Sequence, residues 1–300
     1  MLRFIITKNF RLVKIMLNYI FLILSAGLFS SGFLFNKLYS QKCGSSIQNT
    51  FIASFFQAFV TCLSMFIIAG FAVKITWFSF GIATLHAINT FMITFMALKA
   101  FKYANLSVYS MFMMLGSIII PSTFGIIFYN EGITVTKVLC FIMIFIALYL
   151  STQKGASDKR AVKYYLAVFL GNGISGILSK IHQSNEQLRV STESFLFQSG
   201  LINLAVCSII IIILCIKAKK NIFSVKGAGF ALSDGLVNSV GNYFNLFALI
   251  AIPISVHSII TTGMTLIFSA VISVMCKEKI SKRNVISLLF ALAASVLAVF

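Results

Sequence analysis

Charge is scarce in this sequence. Of 300 residues only 10% are Asp, Glu, Lys or Arg, and six are acidic, where soluble domains carry about 25% charged residues. No stretch between the apolar runs is long or polar enough for a soluble domain. Paired cysteines are also lacking. The six cysteines, at 43, 62, 140, 207, 215 and 276, are scattered without a C-x-x-C pair, which leaves neither a disulfide framework nor a thiolate metal site. Most lie in apolar runs, where Cys acts as a small hydrophobe. No H-E-x-x-H, Walker loop or nucleophile elbow occurs, and the three histidines are not spaced as ligands. The sequence therefore gives no reason to expect an enzyme, direct ATP coupling, a metal or a cofactor.

What is present is apolar: 59% hydrophobic residues and a mean hydropathy of +1.00. Runs of the length that crosses a bilayer, about 17–25 residues, recur through the chain. They predict ten spans, at 16–36, 48–70, 76–98, 104–128, 134–151, 163–181, 194–216, 227–250, 253–275 and 284–300. This predicts an all-α, multi-pass integral membrane protein with a lipid bilayer as its main surroundings. The net charge of +18 does not point to nucleic acid, because the basic residues cluster at span ends, as in Lys217–Lys220 and Lys277–Arg283. That is where they anchor and orient helices. The run starting at Met16 is longer than a signal-peptide core of ~7–15 residues, so it reads as an uncleaved first span.

The connection near 152–163 divides the spans five and five, which predicts one unit over 1–152, a linker at 153–163 and a second unit over 164–300. A shift of 148 residues superposes Gly81 on Gly229, Leu98 on Leu246, Ser107 on Ser255 and Ser110 on Ser258. At 147, Gly116 meets Gly263, Ser122 meets Ser269 and Glu131 meets Glu278. Earlier in the halves, "SGFL" (31–34) matches "SGIL" (175–178), and "FQ" (56–57) matches "FQ" (197–198). The ordered set includes Gly, Ser, Gln and Glu, so it is more than shared hydrophobicity. Two units of five spans enter the membrane with opposite orientation, the inverted repeat of many secondary transporters.

The segment 97–150 carries a family likeness. Ala100 and Tyr103 precede the fourth span, Pro121 lies within it, and Glu131 and Thr134 lead into the fifth; the second half supplies Ala248, Glu278 and Ser281. In these features and in its ten-span layout the chain resembles the EamA-type transporters of the drug/metabolite transporter superfamily. It departs from them at Gln57, where the family often has Arg, and at Phe268, where it has Pro. The resemblance implies a ten-helix bundle in which spans 3, 4, 8 and 9 line a central cavity, 1, 2, 6 and 7 stand beside it, and 5 and 10 are peripheral. It also implies a bacterial inner-membrane location with both termini in the cytoplasm. Counting Lys and Arg favours the reverse, because only eight of 24 fall on the N-terminal side.

Polar residues inside the spans are the candidate pathway. Span 8 carries Asp234, the only acid inside an apolar run, with Asn238 and Asn242 at four-residue spacing on one face and Asn245 beyond. The repeat aligns them with His86, Thr90 and Thr94, next to Asn89. A charge at the bilayer centre costs roughly 2.5–3.5 kcal/mol on insertion scales, so such groups face a bundle interior or a watery cavity. Asp234 is a candidate to bind a cationic group or exchange a proton, with His86 sharing it. Helix-to-helix hydrogen bonding at ~0.6 kcal/mol each is the competing role. Span 9 adds His257, Thr261 and Thr265, and span 4 adds Tyr109, Ser110, Ser117 and Pro121. Gln57 and Gln198 are candidate buried amides. Small residues at Gly27, Ser30, Ser31 and Gly32, matched by Gly171, Gly173 and Gly176, fit either a site or close packing. Glu131 and Glu278 read as caps of the helices that begin at Thr134 and Ser281. The expected function is a monomeric secondary transporter or exporter of a small metabolite, an amino acid or related amphiphile, with a proton as candidate coupling ion. A lipid-carrier flippase or accessory membrane subunit is the alternative.

Overall fold

The structure, a computed structural model, describes residues 2–44, 46–101, 106–151, 162–218, 223–275 and 282–297. Most of the predicted linker at 153–163 falls outside that set. The described residues form ten helices and no strand: α1 (Leu2–Cys43), α2 (Ile47–Ile68), α3 (Trp77–Phe101), α4 (Leu106–Phe128), α5 (Val135–Ser151), α6 (Val162–Ser184), α7 (Thr192–Ala218), α8 (Ala228–Ala251), α9 (Ile254–Met275) and α10 (Lys282–Leu297). Four segments among the described residues are long and apolar enough to cross a membrane: Met16–Cys43, Ile47–Ile68, Thr192–Ala218 and Ile254–Ile272. Large apolar side chains also line the outside, for example Leu201, Ile209, Ile212 and Ile216 along α7. Such a surface is compatible with a lipid environment.

Local chemistry sets the boundaries. Ser46 caps α2 by accepting the Asn49 N–H at 3.2 Å. Gly70 follows α2 with φ +62°, a left-handed conformation that costs glycine little. Pro253 separates α8 from α9, since it cannot continue the hydrogen-bond ladder. The first helix starts at Leu2, well before the predicted Met16. Residues 2–15 contain no Gly or Pro to stop it, and basic residues are good helix formers.

Glu131 departs from its predicted role. Its carboxylate accepts the Ile254 N–H at 2.7 Å, the Ser255 N–H at 3.2 Å and the Ser255 hydroxyl at 2.5 Å. It therefore caps α9, while α5 is capped by the Thr134 hydroxyl, which accepts the Lys137 N–H. Glu278 lies outside the described residues.

Eight helices pack in a closed circuit, in the order α1, α8, α2, α7, α3, α6, α4, α9 and back to α1. Helices α5 and α10 pack on each other and on the α4–α9 side, outside that circuit. Short connections make successive helices antiparallel, so odd-numbered helices start at one end of the bundle, the near end, and even-numbered ones at the other, the far end. Thr76 Oγ1 donates to Leu188 O at the near end, and Cys43 Sγ to Lys226 O at the far end.

The two ends differ. Helix α6 crosses the circuit to touch α8. Lys180 Nζ donates to Leu249 O at 3.4 Å and lies 5.5 Å from the Tyr129 ring centroid, all at the near end. Among the described residues α1 and α3, which stand opposite each other in the same way, make no comparable contact. Among the described residues α6 and α8 thus bridge the interior at the near end, with no comparable α1–α3 bridge at the far end.

Candidate functional site

Asp234 sits two turns into α8 and is 2% exposed. Both carboxylate oxygens are held by amides. Asn238 Nδ2, one turn along α8, donates to Oδ1 at 2.6 Å. Oδ2 receives Asn36 Nδ2 from α1 at 3.0 Å and Gln57 Nε2 from α2 at 2.6 Å. Gln57 and Asn36 also face each other at 3.5 Å. Among the described residues no Lys, Arg or His forms an ion pair with Asp234. Among the described residues the carboxylate is met by amide dipoles alone, an arrangement that is costly for a charge in a low-dielectric interior unless every lone pair is well placed.

Glycine makes the cluster possible. A Cβ on Gly32 of α1 would lie 2.5 Å from Asn238 Nδ2 and 2.8 Å from Asp234 Oδ1. A Cβ on Gly235 would lie 2.7 Å from Gln57 Cα. The α1 backbone therefore lies against the Asp234 and Asn238 side chains, and α8 meets α2 backbone to backbone at Gly235 and Gln57. Gly171, Gly173 and Gly176 of α6 similarly meet Ile93, Ile120 and Pro121, so the small residues of both helices serve close packing.

Asn242 and Asn245 share the α8 face but not the cluster. Asn242 Nδ2 donates back to Asn238 O at 2.9 Å. Asn245 offers its backbone carbonyl to His257 Nε2 of α9 at 3.1 Å, and its own Oδ1 is buried without a partner.

Helix α3 carries a second polar group. His86 Nδ1 meets Ser199 Oγ of α7 at 3.2 Å. Asn89 Nδ2 donates to Gly171 O and Ser175 Oγ of α6, both at 2.8 Å. The Thr90 hydroxyl donates to His86 O. Asp234 and His86 share no hydrogen bond or ion pair; Asp234 bonds Asn36 of α1, Gln57 of α2 and Asn238 of α8, whereas His86 bonds Ser199 of α7. The Thr94, Tyr109 and Ser110 side chains lie outside those described.

The remaining candidates split. Gln57 belongs to the Asp234 cluster. Gln198 instead donates to Lys74 O at 2.9 Å, with its Oε1 buried and unpartnered. Ser117 meets Thr262 Oγ1 at 3.3 Å where α4 crosses α9. Thr265 donates to Thr261 O, while Thr261 Oγ1 is buried without a partner.

Two residues outside the candidate set have prominent roles. Asn36 completes the Asp234 cluster. His182 falls in a predicted connection, but α6 continues to Ser184 and buries the imidazole completely. Its ring stacks on Phe195 with centroids 4.0 Å apart, its Nε2 meets Ser79 Oγ at 2.9 Å, and its Nδ1 has no partner. Among the described residues no group of three or more His, Cys, Asp or Glu is placed to hold a metal ion.

No family model matches the sequence, and no curated protein matches it. In fold the chain is similar to a solved structure described as "Crystal structure of protein", with a TM-score of 0.71 over 94% of this chain and 96% of that one at 15% identity. At that identity the likeness concerns the fold.

Proposed function

We propose that this chain is a multi-pass secondary transporter of a small metabolite, of the EamA type, in a bacterial inner membrane. The observation that carries the reading is the Asp234 cluster: a buried carboxylate held, among the described residues, by amides, inside an eight-helix circuit that α6 and α8 bridge at one end. A group of this kind inside an apolar bundle has a functional role by default. Alternating access requires one end closed and the other open around a fixed site, and the α6–α8 bridge with an unbridged α1–α3 pair fits one such state.

The packing pattern supports two inverted repeats. Advancing each helix by five turns the pairs α1–α8, α1–α9 and α2–α8 into α6–α3, α6–α4 and α7–α3, all of which are packed. The pairs α2–α7, α4–α9 and α5–α10 map onto themselves. Among the described residues two packed pairs, α6–α8 and α5–α9, have no comparable counterpart in α1–α3 and α4–α10.

Flux in proteoliposomes tests the reading. Asp234→Asn keeps the shape of the side chain and removes the charge. It is expected to lower uptake of a transported metabolite at least about tenfold, the effect of losing one strong charged interaction, with the protein still folded. Unchanged flux would remove Asp234 from the pathway.

A further inference from the structure

We propose that the junction of α1, α2 and α8 binds a primary ammonium group of the transported molecule; this inference rests on the transport reading above. The two oxygens of Asp234 are unlike. Oδ1 is backed by the α1 backbone at Gly32 and tied to Asn238, which leaves no space for a ligand there. Oδ2 is held by Asn36, an exposed residue, and Gln57, a half-buried one. That oxygen therefore lies beside the more exposed of the cluster's residues.

The chemistry of the partners selects the ligand. An amide carries a donor and an acceptor on one rotatable group. The NH2 ends of Asn36 and Gln57 face the carboxylate. Turned over, they present Oδ1 and Oε1 beside Asp234 Oδ2. Those three acceptors match the three N–H donors of a primary ammonium. Among the described residues no cation is bonded to this cluster to meet an anion, and a neutral hydroxyl would leave the carboxylate charge uncompensated. The far end also holds an ammonium of the chain itself. Lys42 Nζ lies 5.5 Å from the ring centroid of Phe230, one turn before Asp234 on α8, an attraction typical of cations on aromatic faces.

The test uses the full chain purified in detergent and reads its thermal unfolding midpoint against n-hexylammonium. Hexyltrimethylammonium, hexanol, hexanoate and sodium chloride are the comparison probes. Hexylammonium is expected to raise the midpoint saturably, as a ligand of the folded state does, and the other four are expected to leave it unchanged. Asp234→Asn should abolish the shift. Asn36→Ala and Gln57→Leu should each weaken the apparent affinity about tenfold, the scale of one hydrogen bond to a charged group; they decide the matter if Asp234→Asn fails to fold. An equal shift with the trimethyl compound or hexanol, a shift that survives Asp234→Asn, or a response to sodium alone would overturn the proposal. Asp234-dependent flux without ammonium binding would overturn this inference and leave the transport reading standing. Ammonium binding at Asp234 in a protein that moves no amine would uphold the site and overturn the transport reading.

Discussion

Glu131 and Ser255 tie the two halves of the chain together. One lies between α4 and α5 and the other in the first turn of α9, yet the carboxylate accepts both the backbone N–H and the hydroxyl of the serine. The bond fixes the start of α9 against the end of α4, whose Gly125 leaves room for the carboxylate within about a Cβ's reach.

Glu131→Gln removes the charge that satisfies the α9 N-terminus. A lost cap costs about 0.5–2 kcal/mol, and the helix dipole adds to the loss. The unfolding midpoint is expected to fall, more than for Ser255→Ala. The double variant should lose less than the two single losses combined, because the residues share one interaction.

Gly32→Ala and Gly235→Ala should fail in different ways. At Gly235 the new methyl meets the Gln57 backbone at 2.7 Å, which cannot swing aside. Overpacking of this kind costs about 1–3 kcal/mol, readable as a lower midpoint. At Gly32 the obstacle is the Asn238 and Asp234 side chains, which can rotate. That variant is expected to retain most of its stability and to lose flux.

Lys180→Met should loosen the near end. The lysine joins α6 to the last turn of α8 through Leu249 O. A hydrogen bond to a charged group is worth about 1.5–3 kcal/mol, enough to move a two-state population about tenfold or more. Spin labels at Ser184 and Ile250, both exposed on these helices, should gain a longer-distance component in the variant. An unchanged distance distribution would show that Lys180 does not hold the bridge.

The count of basic residues predicts that the far end faces the cytoplasm, the reverse of what the EamA resemblance implies. The connections and helix termini at that end hold sixteen of the 24 basic residues, and cytoplasmic loops carry the excess of Lys and Arg. In a cysteine-free background, Trp77→Cys at the near end should react with a membrane-impermeant maleimide in intact cells. Ile47→Cys at the far end should react only after lysis. The reverse pattern would set the unbridged end outside.

The helices and the α8 stripe were legible because each depends on local spacing. Apolar runs of bilayer length announce spans, and Asp234 and Asn238 at four-residue spacing announce a shared face. What the stripe touches was not legible. Asn36 joins it only because α1 crosses α8 at Gly32, and nothing in the local sequence of α1 signals that crossing. Asn242 and Thr265 look like pathway residues but bond carbonyls of their own helices, an outlet open to any short polar side chain in a helix. Gln57 and Gln198 align in the repeat and end up with different partners, since one meets a carboxylate and the other a loop carbonyl. His182 was hidden by polar neighbours that made the end of α6 read as a connection.

A carboxylate met by amides has an electrical consequence if it carries an ammonium as proposed. In the carrier proposed above, an ammonium bound to the ionised carboxylate would make the cluster neutral, and the ionised cluster alone would be an anion. The membrane potential would then act on the unloaded carrier and hardly on the loaded one. Carrying one elementary charge through the whole field is worth about 2.3 kcal/mol per 100 mV. Voltage would then set the rate of the return stroke and leave the step that moves cargo nearly untouched.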